Sequence, residues 1–316
     1  MRPDAAPAPL RVPDIVRADA RSTVLCRATL GLVVYFEDDG SWARGGAAAA
    51  VRALRDEVGP DALTWCTTSL APEGFALRAR ELGAFEERIS LAWAQRAPRH
   101  LFAARLADAP GAPSCEFAYR AADPARGTRA SYVAVHLPPF TAPAALRRLF
   151  DRVLALGPVT SAAAGYRLSW DRAHADALAP HFSALGARFL GVDLSDPDAM
   201  SLALATRRLV TVNWLTFVGD ALLAGAPDAP VPPASGAYEE GVVVARGPGG
   251  VLVVAGEAPT TGDLNTLTWP VAYGVAANLL APWSAERTPD YWPSALGTAA
   301  VGRWLRRFAA RDGEGA

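Results

Sequence analysis

Lysine is absent from this sequence: all 31 basic residues are arginine, and against 32 acidic residues they leave a formal net charge of −1. That balance excludes bulk electrostatic attraction to nucleic acid or to an anionic membrane. Arg147-Arg148, Arg207-Arg208 and Arg303 with Arg306-Arg307 are short and scattered, fitting the solvated sides of amphipathic elements rather than a nucleic-acid groove. Cysteine is scarce as well. Cys26, Cys66 and Cys115 are widely spaced and odd in number, which matches neither a disulfide framework nor a zinc site. No apolar run reaches the roughly 20 residues needed to span a bilayer, and Val271 to Leu280 ends well short of it. The first 20 residues carry Pro3, Pro7, Pro9 and Pro13 among charges and lack the apolar segment of a secretory signal. They read as a flexible leader, residues 311–316 as a flexible tail, and the expected compartment is the cytoplasm.

Chemistry-bearing motifs are missing too. A nucleophile elbow would show Gly-x-Ser-x-Gly at a strand-to-helix turn, and no such sequence occurs. Gly247-Pro248-Gly249-Gly250 lacks the Gly-Lys-Ser/Thr ending of a phosphate loop and precedes a β-rich run, so it reads as a hairpin turn. His174 and His181 share a helical spacing, but no nearby carboxylate or cysteine completes a metal site, and His100 and His136 have no close ligand neighbours. Asp193, Asp196 and Asp198 lack the glycine and distal glutamate of a calcium loop and read as a solvated turn capping a helix that begins near Pro197. The expectation is a protein with no catalytic residues, no cofactor and no metal, whose task is binding.

What is present is apolar material patterned for an α+β fold. Val24 to Phe36 is a β-rich run ended by Glu37-Asp38-Asp39-Gly40; Val51, Leu54 and Val58 then recur at helical spacing. Leu82, Phe85, Ile89 and Trp93 predict a further helix. Leu101 to Ala107, Cys115 to Ala121 and Ser131 to Leu137 predict an antiparallel meander. Leu146, Leu149, Phe150 and Val153 line a helix with Pro143 in its first turn. A second strand-helix pattern begins at Tyr166 to Trp170, capped by Asp171, with Leu178, Phe182 and Leu185 as its stripe. Leu209 to Val218 predicts a strand, and Gly241 to Ala245 with Val251 to Ala255 a hairpin whose arms are buried on both faces beneath helices at Val271 to Leu280 and Leu296 to Phe308. The expected architecture is two packed strand-helix halves, residues 21–157 and 158–310, with mainly antiparallel sheets covered by helices.

Several segments, in order, resemble a bacterial type VI secretion immunity family: Gly165-Tyr166-Arg167-Leu168-Ser169, Gly191-Val192-Asp193-Leu194-Ser195-Asp196-Pro197, Asn213-Trp214-Leu215-Thr216-Phe217-Val218-Gly219-Asp220, and Ala255-Gly256-Glu257-Ala258-Pro259-Thr260-Thr261-Gly262-Asp263-Leu264-Asn265, then Tyr273 and Pro282. The chain departs from the family at Ala224-Gly225-Ala226, where a Gly-Gly is usual. The resemblance implies an antitoxin that binds a cognate type VI effector, chiefly a nuclease, in the cytoplasm. Asn213, Trp214, Pro259, Gly262, Asp263 and Asn265 read as fold determinants: a packed indole and a tight turn in which Asp or Asn bonds to backbone and Gly takes a positive φ.

A nuclease cleft is basic and carries metal-binding carboxylates, so it can be blocked by acidic contact or by steric cover. The acidic candidates are Glu37, Asp38 and Asp39; Asp193, Asp196 and Asp198; and Glu239 and Glu240. Each cluster also reads as turn or cap chemistry. Trp292, in Tyr291-Trp292 between Pro289 and Pro293, is either tucked on the core or offered to the partner as an anchor. An effector-loading adaptor or scaffold, and a hydrolase with dispersed catalytic groups, are the alternatives from other classes.

Overall fold

A computed structural model describes residues 17–18, 23–37, 42–69, 71–78, 81, 83, 102–121, 130–203, 207–226, 229, 236–285 and 298–308. The strands are β1 (Arg17–Ala18), β2 (Val24–Phe36), β3 (Trp65–Thr68), β4 (Ala71–Ala76), β5 (Phe102–Ala107), β6 (Glu116–Ala121), β7 (Ser131–Leu137), β8 (Ser161–Trp170), β9 (Leu215–Gly219), β10 (Gly236–Ala237), β11 (Val242–Gly247) and β12 (Gly250–Ala255). The α-helices are α1 (Ala47–Val58), α2 (Pro143–Leu154), α3 (Ala175–Arg188), α4 (Pro197–Ala203), α5 (Asp220–Ala224), α6 (Val271–Leu280) and α7 (Thr298–Leu305). Among the described residues no helix is long and apolar enough to cross a membrane.

All twelve strands belong to one antiparallel sheet ordered β10-β11-β12-β9-β8-β2-β7-β6-β5-β3-β4, with β1 on β2. This corrects the expectation of two packed halves. β2 lies beside β8 from Cys26 against Trp170 to Tyr35 against Ser161, so the strands on either side of residue 158 are direct neighbours in a continuous ladder. The apolar run of β2 is buried along nearly its whole length because it has β7 on one side, β8 on the other and α2 packed against it. Leu146, Leu149, Phe150 and Val153 of α2 are all fully buried, as the spacing required, and α1 packs beside it through Val51 and Leu54.

Other differences have local causes. The run Leu209 to Val218 is a strand only from Leu215. Before it, Asn213 Oδ1 accepts from the Trp214 amide at 2.8 Å and Thr216 Oγ1 accepts from the Asn213 amide at 3.0 Å, so side chains take the bonds a ladder would make. The hairpin forms at Pro248-Gly249, where Gly249 has φ 76°. Of its arms, only β12 is buried on both faces. β11 alternates, with Val243 45% exposed, because only one of its faces is covered. β4 had no sequence signature; it is an edge strand that tolerates Pro72. Leu82, Phe85, Ile89 and Trp93 of the expected helix, the tail, and all of the leader to residue 20 except β1 lie outside the described residues.

Candidate functional site

The centre of one sheet face is polar. Alternation along β2, β6, β7 and β8 turns Thr29, Glu116, Tyr132, His136 and Arg167 to the same side, and Arg105 of β5 joins them. Arg105 grips Glu116 with both ends of its guanidinium, at 2.9 and 3.1 Å, and reaches the Gly111 carbonyl at 2.8 Å. Thr29 Oγ1 lies 2.7 Å from His136 Nδ1 and donates to the Arg167 carbonyl at 3.2 Å, which leaves His136 Nδ1–H as the donor to Thr29. Arg167 is 1% exposed and pairs with Asp193, which is 0% exposed. The same carboxylate accepts from the Ser195 amide at 2.8 Å and the Ser195 hydroxyl at 2.9 Å. At the rim, Arg172 holds Asp198 and, at 3.3 Å, Asp196; Asp198 also takes Arg120 at 3.0 Å and the Tyr132 hydroxyl.

These groups cancel one another. Burial pushes His136 down to about 4, against the opposing pull of Glu116, so the imidazole is neutral at neutral pH. Burial alone would raise Glu116 and Asp198, yet the Arg105 guanidinium for the first, and Arg172 with Arg120 for the second, hold both below the usual carboxylate range. All three cysteine thiols are free, buried and pushed up to about 12 by that burial, which leaves them protonated and unreactive. The gap among Arg105, Tyr132, His136, Arg167, Ser169 and Arg172 measures about 30 Å³, room for a water and not for a substrate. A larger cleft of about 410 Å³ runs between residues 209–212 and the ends of α6 and α7; no carboxylate, imidazole or thiol lines it among the described residues. Nor do those residues include a group of three or more His, Cys, Asp or Glu that could hold a metal ion.

Of the residues expected to meet a partner, Asp193 is the one corrected. Asp193 is interior, and Asp196 and Asp198 are partly buried and tied to arginines. Asp196 also caps α4, accepting from the Asp198 amide at 3.0 Å, so this turn is built of structural carboxylates. Glu37 is exposed where β2 ends, and Glu239 and Glu240 are exposed on a short turn before β11. Asp38, Asp39 and Trp292 lie outside the described residues. Sequence reading missed Arg167 as the partner of Asp193; its signal was a lone guanidinium inside an apolar strand, which requires a buried counter-charge.

The motif residues come together as a scaffold. Asn213 is buried and donates through Nδ2 to the Tyr166 carbonyl at 3.2 Å; a Cβ on Gly165 would sit 1.9 Å from its Oδ1, so only glycine fits there. Trp214 Nε1 donates to the Gly256 carbonyl at 3.0 Å. Buried Pro259 leads into Gly262, φ 61°, and the turn pairs with the chain at Leu190 and Gly191 through backbone bonds of 3.2 and 2.9 Å. Asp263 then accepts from the Asn265 amide at 3.0 Å and takes Arg188 in a bidentate pair at 2.8 Å, which with that amide bond holds its pKa below the usual carboxylate range. The Asn265 residue itself is exposed and joins the turn only through its backbone.

The fold is shared with a solved structure, that of a Pseudomonas aeruginosa T6SS protein: 16% identity, TM-score 0.73, covering 95% of this chain and 89% of that one. At that identity the likeness concerns the fold alone. The family follows from the sequence. The chain belongs to the TsiV family, described as type VI immunity for VRR-NUC, whose model matches residues 115–308. A comparison with curated proteins finds no match.

Proposed function

We propose that this chain binds its cognate VRR-NUC nuclease effector in the cytoplasm and holds it inactive by covering its active site, with no turnover of its own. Membership of an immunity family carries the reading. The arrangement of polar groups supports it: the concentrated acids, bases and guanidinium groups are tied to one another inside the sheet face, beside a gap of about 30 Å³. A catalytic site needs such groups free to meet a substrate. Carboxylates left in solvent, Glu37, Glu239 and Glu240, are suited to the basic surface of a protein that handles nucleic acid.

The test is titration of purified chain into the active VRR-NUC domain while DNA cleavage is followed. Cleavage should fall linearly and stop at one equivalent, and cells expressing the effector should survive when the chain is co-expressed. A stable complex that still cleaves DNA at the free-enzyme rate would replace this reading with that of a loading adaptor.

A further inference from the structure

We propose that Leu267, Trp269 and Val271, rimmed by Glu239 and Glu240, form the docking surface for the basic, nucleic-acid-handling side of the VRR-NUC effector. This rests on the immunity reading above and assigns it a face. The three apolar residues alternate along one short segment entering α6 and are 91%, 37% and 44% exposed. Val242 pairs with Ala255, and Gly256 lies 3.7 Å from Ala272 when given a Cβ, so the 239–241 turn sits at the first turn of α6, against which it packs. Neither glutamate has an ion-pair partner among the described residues.

Two features set this patch apart from other exposed apolar side chains such as Phe75 and Phe140. The only non-glycine residues with positive φ among those described, Glu240 at 57° and Leu267 at 56°, both lie on it. Such backbone is costly for a residue with a Cβ and persists where surrounding bonds enforce it. Here they do. The Leu267 amide donates to Leu264 O at 3.1 Å, the Thr268 amide to Asp263 O at 3.0 Å and the Thr266 hydroxyl to Asp263 O at 3.1 Å, while Arg188 clamps the Asp263 carboxylate. The backbone that carries the apolar anchor is thus held in place before any partner arrives, which reduces the ordering cost of binding. Tryptophan surrounded by apolar neighbours is the side chain most often found at the energetic centre of interfaces. The carboxylates at its edge complement the arginine and lysine surface with which a nuclease holds phosphates.

The probe is the VRR-NUC domain of the effector, inactivated at its metal-binding carboxylates, with affinity measured by calorimetry at low and high salt. Trp269→Ala and Leu267→Arg should each weaken binding by about 10-fold or more, with melting temperature unchanged for Leu267→Arg. Glu239→Gln with Glu240→Gln should lower the association rate and flatten its salt dependence. Phe140→Ser, elsewhere on the surface, should bind like wild type. If the wild-type chain binds and Leu267→Arg, Trp269→Ala and the double glutamine variant bind equally well, the face is wrong and the immunity reading stands. A wild-type chain that does not bind at all overturns both.

Discussion

The sheet centre around Arg167 and the turn around Leu267 invert the usual distribution of residue types. The first buries a guanidinium and a carboxylate completely; the second holds a leucine almost wholly in water. In the interior, each charge is kept by the other and by Ser195, so the group depends on every member being present. On the turn, the leucine has no internal partner to lose, and what is fixed is the backbone beneath it. The contrast separates residues that maintain the fold from residues that the fold presents.

Breaking one side of the buried pair should have the largest effect. Arg167→Ala or Asp193→Ala leaves an uncompensated charge inside, expected to cost about 3–5 kcal/mol, read as a fall in the denaturant midpoint. Replacing both at once with apolar residues of similar size, Arg167→Met with Asp193→Leu, should cost less than either single change. A double variant worse than both singles would mean that the pair itself stabilises the fold.

Next in size is the response to pH. His136 refuses a proton in the folded state until about pH 4, whereas the unfolded chain takes one near 6.5. The unfolded state therefore binds more protons between those values, and stability present above 6.5 falls as the pH drops toward 4, by about 3 kcal/mol at most. His136→Gln should flatten urea-unfolding free energies over that window. The exposed turn should respond more weakly. Asp263→Ala removes a cap on the Asn265 amide and should cost about 1 kcal/mol; its contribution also fades under acid, once the pH falls through a carboxylate value that Arg188 has lowered. The smallest effect is expected for Leu267→Asn, which keeps the positive φ at little strain and should leave the unfolding free energy within about 0.5 kcal/mol.

The same contrast marks what the sequence could reveal. Elements dictated by neighbours along the chain were legible: the stripe of α2 behind Pro143, the Asp171 cap, the start of α4 at Pro197 and the Pro248-Gly249 hairpin. The continuous sheet was not, because β2 and β8 pair across more than a hundred residues and local pattern is silent on such partners. Asp193 looked like a solvated turn since its counter-charge stands 26 positions earlier, inside an apolar strand. Leu267 and Trp269 carried no signal either, as single apolar residues set among threonines and a proline are compatible with burial and exposure alike.

The position of β2 also shapes the order in which the chain can be completed. As synthesis proceeds, β2 can pair with β7 once residue 137 has emerged, but its opposite edge waits for Ser161–Trp170. During that interval a thirteen-residue, almost wholly apolar strand offers unpaired backbone to any extended segment nearby. A translational pause between residues 137 and 161 would therefore prolong exposure of an aggregation-prone edge, whereas the same pause after residue 170 would leave β2 already sealed between two neighbours.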